Sequence, residues 1–369
     1  MESNAASLWQ KLQQAECVNK DTAMPAELAM PPWYLGILQG FAGWVAALFL
    51  LGFMGSFLAL LVSDALEHGI IVFASIFVVF GVVLDRNAKV QKVFVAQFAM
   101  VFGLSGLLGI GWGLAALLDY RHELIWFTLF AVLLMTHTYF INNRLNIFLN
   151  GVGIAACISG ILYQWHWLSL MPLVILFLAL LLSLNLGKLG AHYGRLTTLV
   201  YAFASWTLLA QCLLSLGLNE LDFFATTLAQ FSLWSSLLPW SLSVLASLLV
   251  VRQILSEQQQ ALSSKVGMVA MGSVLLLGLM SIPLAGLSSA ALFLLLGLQR
   301  QDKVLSALAI VSIPLFIASY YYSLSVSLLE KSLLLTALGI FLLLVRWAVS
   351  KLFSQHLTKR DESPMMEAK

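Results

Sequence analysis

Carboxylate and imidazole side chains that could bind a metal occur together at two places in the sequence. In "SDALEHG", Asp64, Glu67 and His68 stand at positions i, i+3 and i+4, which places them on one face if the segment is helical. A second group begins at Asp119 in "DYRHE" and offers the same chemistry. Such ligands suit several divalent metals, but no HExxH or comparable motif is present. We therefore interpret both groups as solvated loop charges, and we expect no metal and no other cofactor.

His137, in "LLMTHTYF", is the ionisable residue that lies well inside a long apolar run. It could relay protons or contact a ligand, or it could be a neutral imidazole that hydrogen-bonds between helices through Thr136 or Thr138. We favour the second interpretation, and we expect Gln97 and Gln211 to join helices in the same way. The apolar runs contain no carboxylate near their centres. Because an ion-driven carrier normally buries one, this lowers the weight of a carrier hypothesis.

The composition shows which solvent surrounds most of the chain. Hydrophobic residues make up 61% of the 369 residues and charged residues 10%, and the mean hydropathy is +0.94. A soluble domain has roughly 45–50% apolar and about 25% charged residues. The excess is too large for a soluble core, so lipid must cover much of the surface. No basic tract suggests nucleic-acid binding, and no phosphate-loop or GxSxG motif is present.

The apolar runs predict an all-α transmembrane bundle of about twelve spans, because a spanning helix needs about 20 mostly apolar residues. The least certain division is 266–298, which would be about 50 Å long as one helix. Pro283 and Gly286 favour two short spans there. The predicted spans are 34–62, 68–84, 93–118, 124–141, 145–163, 167–186, 195–216, 232–251, 266–282, 284–298, 304–321 and 328–349.

The basic residues predict how these spans are oriented. Of the 19 Lys and Arg residues, all but Arg121 and Lys331 fall on the side that carries both termini. Basic loops stay in the cytoplasm, so we expect a cytoplasmic N-terminal segment (1–33) with a weakly amphipathic helix, a transmembrane domain (34–349) and a cytoplasmic tail (350–369). The opposite, outer side is acidic, and its aromatic residues are typical of a membrane interface.

The segment Tyr320–Leu335, "YYYSLSVSLLEKSLLL", places an adjacent acid and base at the outer end of the last predicted hairpin. Ser327 and Glu330 match the S-x-x-E capping box, in which both side chains bond free N–H groups at a helix start. The helix dipole favours Glu330 there but disfavours Lys331. We expect Lys331 to pair with an outer carboxylate of this chain or of a partner protein.

Two long segments carry a family resemblance. "PPWYLGILQGFAGWVAALFLLGFMG" (31–55) and "ASYYYSLSVSLLEKSLLLTALGIFLLLVRW" (318–347), together with "LWQKLQQA" near the start, resemble the bacterial membrane family called domain of unknown function 4401. The resemblance covers most of the chain and implies no activity. It implies a partner, since members are often encoded beside a membrane-associated protein of the GDYXXLXY family. The family's recurrent Tyr-rich and Lys-Ser segment falls here on Tyr320, Tyr321, Tyr322, Lys331 and Ser332, which together with Glu330 are the preferred contact residues.

These observations lead to one leading function and two others. We expect a multi-pass bacterial inner-membrane protein, without enzymatic activity, that binds a partner subunit through its outer face and first span. The alternative is a carrier or flippase for a neutral or amphiphilic solute. An intramembrane enzyme that uses the outer Asp, Glu and His residues is the weakest hypothesis. Asp64, Glu67, His68, Asp119 and His137 are therefore secondary candidate residues.

Overall fold

Every regular element in the part of the chain that the structure describes is a helix. The structure is a computed structural model that describes residues 33–61, 66–87, 93–167, 170–186, 190, 192–215, 233–281, 285–323 and several positions between 329 and 343. The predicted segments 1–32 and 350–369, and most of the predicted span 328–349, lie outside these residues. The helices are α1 Trp33–Leu61, α2 Leu66–Asn87, α3 Val93–Leu117, α4 Glu123–Phe140, α5 Arg144–Gln164, α6 Met171–Asn185, α7 Tyr193–Ser215, α8 Leu233–Glu257, α9 Lys265–Met280, α10 Ala285–Gln299 and α11 Lys303–Ser323.

The helices begin and end where local sequence dictates. Asn143 and Ser264 are the N-cap residues of α5 and α9, and their side chains accept backbone N–H bonds. The long run 266–298 is divided as predicted, because α9 ends at Met280 and α10 begins at Ala285, on either side of Pro283.

Sharp turns follow α5, α8 and α10. In each turn a non-glycine residue takes a left-handed conformation, and the next N–H bonds a carbonyl five residues back, which satisfies a free carbonyl of the last helical turn. The left-handed residues are His166 (φ 57°), Gln259 (φ 53°) and Gln301 (φ 55°). The corresponding bonds are Trp167 N to Leu162 O at 2.7 Å, Gln260 N to Leu255 O at 2.9 Å and Asp302 N to Gly297 O at 2.8 Å.

Seven of the helices within the described ranges are long and apolar enough to cross a membrane: α1 to α5, α7 and α8. Shorter apolar stretches occupy α6, α9, α10 and α11. Apolar side chains also cover much of the exterior of these helices. This surface matches lipid as the surrounding solvent.

The chain divides into two compact units, and Met1–Gly113 is the first. Its helices α2 and α3 approach closely, because a Cβ on Gly106 would lie 2.6 Å from the carbonyl oxygen of Ala74. A Cβ on Gly109 would likewise lie 2.8 Å from the Cβ of Ala74, and small residues at these positions allow the two helices to approach closely. The indole N–H of Trp44 on α1 donates to Gln97 Oε1 on α3 at 3.0 Å, so Gln97 joins helices as expected.

The second unit, Leu114–Lys369, contains α4 to α11, which alternate in direction. Glu123 at the start of α4 accepts a hydrogen bond from Gln164 at the end of α5. At the other end of the same unit, Arg195 and Asn142 make a hydrogen bond of 2.7 Å. We call the end that holds Arg195 the cation-rich end, and the end that holds Glu123 the opposite end. Arg144, Arg300, Lys265 and Lys303 also belong to turns or helix starts at the cation-rich end.

Helix α10 lies in the core of the second unit. Four of its apolar side chains are at most 1% exposed: Ala290, Leu292, Phe293 and Leu296. It packs against α8, α11 and α7. Gly286 allows Phe316 of α11 to pack where a larger side chain would clash. The core helix thus brings three neighbours together around its first turns.

Candidate functional site

A cluster of neutral polar side chains lies where α7, α8 and the first turns of α10 meet. Gln211 Nε2 donates to Ser289 Oγ at 3.0 Å, which joins α7 to α10 as predicted for this glutamine. The hydroxyls of Ser243 on α8 and Ser288 on α10 are 2.6 Å apart. We call Gln211, Ser243, Ser288 and Ser289, with the Trp240 and Ser281 pair described next, the serine–glutamine cluster.

Trp240 and Ser281 connect this cluster to the break between α9 and α10. The Trp240 indole N–H donates to Gly278 O at 2.8 Å and to Ser281 Oγ at 3.1 Å. The Ser281 hydroxyl in turn donates to Gly278 O at 2.8 Å. These bonds satisfy the end of α9, since the last carbonyls of a helix have no partner within it.

One acceptor in the cluster has no donor. Gln211 is 8% exposed, and its Oε1 atom has no hydrogen-bond partner within the described residues. A buried amide oxygen left in this state costs about 1–3 kcal/mol. The cluster therefore contains an unused hydrogen-bonding position next to Ser289.

The depth of the cluster follows from helix geometry. At a rise of about 1.5 Å per residue, Ser243 lies about 21 Å along α8 from Glu257 at the cation-rich end. Ser289 lies about 15 Å along α10 from Gln299 at that end. A bilayer has a hydrocarbon core about 30 Å thick. Gln211 lies about 27 Å along α7 from Tyr193 at that end, so the cluster extends from the middle of such a layer toward its opposite side.

His137 belongs to a second polar cluster, between α4 and α5. Its Nδ1 atom is 2.8 Å from Nδ2 of Asn150, and both residues are buried. The predicted threonine partners are wrong, because Thr136 and Thr138 donate to carbonyls of their own helix, Val132 O and Leu134 O. A short polar side chain within a helix readily bonds the carbonyl one turn back. His137 does hydrogen-bond between helices, as expected, but through an asparagine.

Asn146 precedes Asn150 by one turn of α5 and is also buried. Neither Asn146 Oδ1 nor Asn150 Oδ1 has a hydrogen-bond partner among the described residues. Residues four apart share a helix face. Asn146 and Asn150 therefore share the face of α5 that contacts His137 at Asn150, about 3–9 Å along the helix from its start.

Arginines at the cation-rich end bond carbonyls at helix C-termini. Arg195 donates to Tyr139 O at 2.9 Å near the end of α4. Arg300 donates to Ser183 O near the end of α6. Burial lowers the pKa of the Arg300 guanidinium, and the nearby Tyr193, Asp302 and Glu257 oppose that shift. A cation beside the negative end of a helix dipole is favourable, so these arginines stabilise the bundle.

Asp302 organises the turn between α10 and α11 at this same end. Its Oδ1 accepts from Val304 N at 3.0 Å and Leu305 N at 3.2 Å, which caps α11. Its Oδ2 accepts from the Tyr201 hydroxyl on α7 at 2.7 Å. One carboxylate thus fixes a helix start and joins it to a neighbouring helix.

The residues that the sequence marked as candidates are spread along the chain. Asp119 is exposed, in a turn next to the start of α4, whereas His137 is near the other end of that helix. Glu330 and Ser332 are exposed, Ser332 donates to Leu329 O at 2.8 Å, and Tyr321 is half-buried on α11. Within the described ranges, no three His, Cys, Asp or Glu residues are grouped so that they could hold a metal. Asp64 and Lys331 lie outside the described residues, as do the side chains of Glu67, His68, Tyr320 and Tyr322.

Most of the serine–glutamine cluster was not predicted from the sequence. Gln211 was a candidate for joining helices, whereas Trp240 and the four serines were not. Single serines are common in membrane helices and packing favours them, so each one alone is uninformative. The feature of the sequence that could have indicated the cluster is the position of Ser281, Ser288 and Ser289. They lie on either side of Pro283, in an apolar run that is too long for a single span.

The helices, their apolar exteriors and the polar groups bonded between them define a helical membrane protein. A family model described as "Domain of unknown function (DUF4401)" matches residues 32–352, so the chain belongs to that family. This match confirms the resemblance seen in the two end segments. No curated protein and no solved structure matches the chain.

Proposed function

We propose that the chain crosses a bacterial inner membrane twelve times, with both termini in the cytoplasm. The support is the second unit, where eight helices alternate in direction and Arg144, Arg195, Arg300 and Lys303 share one end. Basic loops remain in the cytoplasm, so the cation-rich end is the cytoplasmic one. Three helices in the first unit and the predicted span 328–349 complete the count.

Within that topology the chain acts as a carrier or flippase for a neutral or amphiphilic solute, without enzymatic activity. The observation that carries this proposal is the serine–glutamine cluster, which lies beside the break between α9 and α10 and reaches the middle of the layer at Ser289. In carriers, substrate sites lie near the bilayer midplane at interrupted helices. Non-helical backbone at that depth is tolerated where protein buries it or where it lines a cavity. The cluster contains hydroxyl, amide and indole groups, which suit a neutral solute.

Reconstitution of the full-length protein tests this function directly. Liposomes of phosphatidylcholine and phosphatidylglycerol would carry fluorescent glucosylceramide, a neutral lipid with several hydroxyls, or fluorescent phosphatidylserine. A membrane-impermeant reductant destroys fluorophores in the outer leaflet. We expect the protein to increase the reducible fraction of the glucosylceramide above that of protein-free liposomes, with little effect on phosphatidylserine. A parallel assay would follow glycerol entry by light scattering. The carrier function would be refuted if the protein increased neither the reducible fraction of glucosylceramide nor the rate of glycerol entry.

The second candidate function is a membrane subunit that binds a partner at its outer face. The supporting observation is the opposite end of the second unit, where the aromatic residues Tyr120, Trp165 and Trp167 are 61%, 52% and 56% exposed and where the exposed Asp119 also lies. Large aromatic residues are enriched at protein interfaces. The partner that the family resemblance suggests is a GDYXXLXY-family membrane-associated protein.

Purification from native membranes separates this candidate from the first. A partner subunit should copurify in a fixed ratio, and Lys331→Ala should reduce its retention more than Glu330→Ala does. That order follows from the predicted position of Lys331 at a helix start, where pairing with a carboxylate would offset the unfavourable helix dipole. A chain that is always purified alone, or two variants that behave like the wild type, would contradict the partner hypothesis.

A further inference from the structure

Gln211 and Ser289 together have one unused acceptor and one unused donor. Gln211 Oε1 has no partner among the described residues. Ser289 Oγ accepts from Gln211 Nε2, and its hydroxyl donates no hydrogen bond among the described residues. The side chains are 8% and 1% exposed. A hydroxyl can donate and accept at once, so the two unused positions are complementary to it.

The surroundings of this pair select against an ionic ligand. The neighbouring polar groups of the serine–glutamine cluster are Ser243, Ser288 and the Trp240 indole, all of them neutral. Removing a charge from water without a counter-charge is strongly unfavourable. A neutral group avoids that cost and can still satisfy both members of the pair.

We propose that Gln211 and Ser289 bind a hydroxyl group of the transported solute, which makes the substrate a neutral, hydroxyl-bearing molecule. This inference rests on the proposed carrier function and gives it a substrate class. The ligand hydroxyl donates to Gln211 Oε1 and accepts from the Ser289 hydroxyl. The existing bond from Gln211 Nε2 to Ser289 Oγ holds both groups in position.

Thermal unfolding of the purified full-length protein tests binding without any transport step. The detergent would be lauryldimethylamine oxide, which has no hydroxyl. The probes are 1-monooleoylglycerol, which has free hydroxyls, and methyl oleate, which has the same acyl chain and none. A third arm uses glycerol, so that an amphiphile can be distinguished from a free polyol. We expect 1-monooleoylglycerol or glycerol to raise the unfolding midpoint by about 2–4 °C, and methyl oleate to leave it unchanged.

Variants link the shift to the two residues. Gln211→Leu and Ser289→Ala should each abolish the probe-dependent shift, and the smaller Ser289→Ala change serves if Gln211→Leu does not fold. The matched control is Ser159→Ala, which removes a hydroxyl that accepts from Trp206 Nε1 at 3.0 Å on another helix pair. It should lower the midpoint but retain the shift. The inference is wrong if both variants keep the shift, or if methyl oleate acts like 1-monooleoylglycerol.

The liposome assay separates failure of this site from failure of the carrier function. If Gln211→Leu and Ser289→Ala leave the solute flux unchanged, the proposed binding site is wrong but the carrier function stands. If the probes shift the unfolding midpoint but the protein supports no solute flux, the binding site stands and the carrier function is wrong.

Discussion

At the scale of single residues, the buried asparagines of α5 differ in one respect. Asn150 contacts His137 through Nδ2, whereas Asn146, one turn earlier, has an amide oxygen without a partner among the described residues. Removing one member of a buried hydrogen-bonded pair leaves the other unsatisfied, and removing a group that had no partner does not. The two asparagines should therefore respond differently to the same substitution.

Asn150→Leu should destabilise the protein by about 1–3 kcal/mol, because Nδ1 of His137 then loses the amide beside it. Asn146→Leu, the matched control on the same face of the helix, should be neutral or stabilising, since leucine has a similar size and needs no hydrogen bond. Thermal unfolding midpoints in one detergent would compare the two. Equal losses of stability would show that Asn146 has a polar role that its contacts do not explain.

The sequence could identify His137 but not its partner. Composition alone shows that an imidazole inside an apolar run needs a hydrogen bond. The nearest polar residues, Thr136 and Thr138, bond their own helix instead. Asn150 is on the next helix, and the register of two packed helices depends on the whole interface. The four serines could not be predicted as a cluster for the same reason, because they come together only when the helices around α10 are packed.

At the scale of helices, close packing depends on glycine at particular positions. A Cβ on Gly106 of α3 would lie 2.6 Å from Ala74 O and 2.8 Å from Val78 N, both backbone atoms of α2. A Cβ on Gly52 of α1 would have no other atom within 4 Å. A methyl group at Gly106 would therefore clash with the backbone of α2, whereas a methyl group at Gly52 would meet no other atom.

Gly106→Ala should destabilise the first unit by about 1–3 kcal/mol, because α2 and α3 must move apart. Gly52→Ala should be neutral or stabilise by up to about 1 kcal/mol, since alanine restricts the unfolded chain and meets no obstacle. Protection of α2 and α3 in hydrogen exchange would report on this unit alone. Similar protection in both variants would contradict the close approach of these helices.

Asp302 offers a second test at this scale, because it both caps α11 and bonds Tyr201 of α7. Asp302→Ala should cost about 2.5–4 kcal/mol, the sum of a cap at about 1 and a hydrogen bond to a charged group at about 1.5–3. Asp302→Ser keeps a capping side chain and Tyr201→Phe keeps the cap itself, so each should cost less. Unfolding midpoints would establish the order. A Tyr201→Phe loss as large as that of Asp302→Ala would mean that the cap contributes little.

Most helix bounds could be predicted from hydropathy. The first eleven predicted spans each correspond to a helix, with ends that agree to within a few residues in most cases. The largest error is at α8, which was expected to end at 251 and continues to Glu257. Hydropathy marks where a helix leaves apolar surroundings, whereas the helix itself ends where its hydrogen bonds end, here in the turn at Gln259.

At the scale of the whole chain, the same basic residues have two consequences. Arg195 and Arg300 bond carbonyls at the ends of α4 and α6, which stabilises the second unit. Because these helix ends share one face, the same arginines make that face basic, which is the charge that the proposed topology requires on its cytoplasmic side. Packing and orientation therefore depend on the same side chains.

The proposed twelve-span topology predicts the accessibility of single cysteines on the two faces. Cys17, Cys157 and Cys212 would first be replaced, and cysteine then introduced at Tyr120, which is 61% exposed at the opposite end, or at the exposed Gln260 at the cation-rich end. A membrane-impermeant maleimide should label Tyr120→Cys in cells whose outer membrane is permeabilised. It should label Gln260→Cys only after the inner membrane is also opened. A fluorescent protein fused after Lys369 should fold and fluoresce, because the proposed topology places the tail in the cytoplasm. Reversed labelling of the two cysteines would show that the proposed orientation is wrong. A non-fluorescent fusion together with the expected labelling would show that the second unit is oriented as proposed but that the number of spans is not twelve.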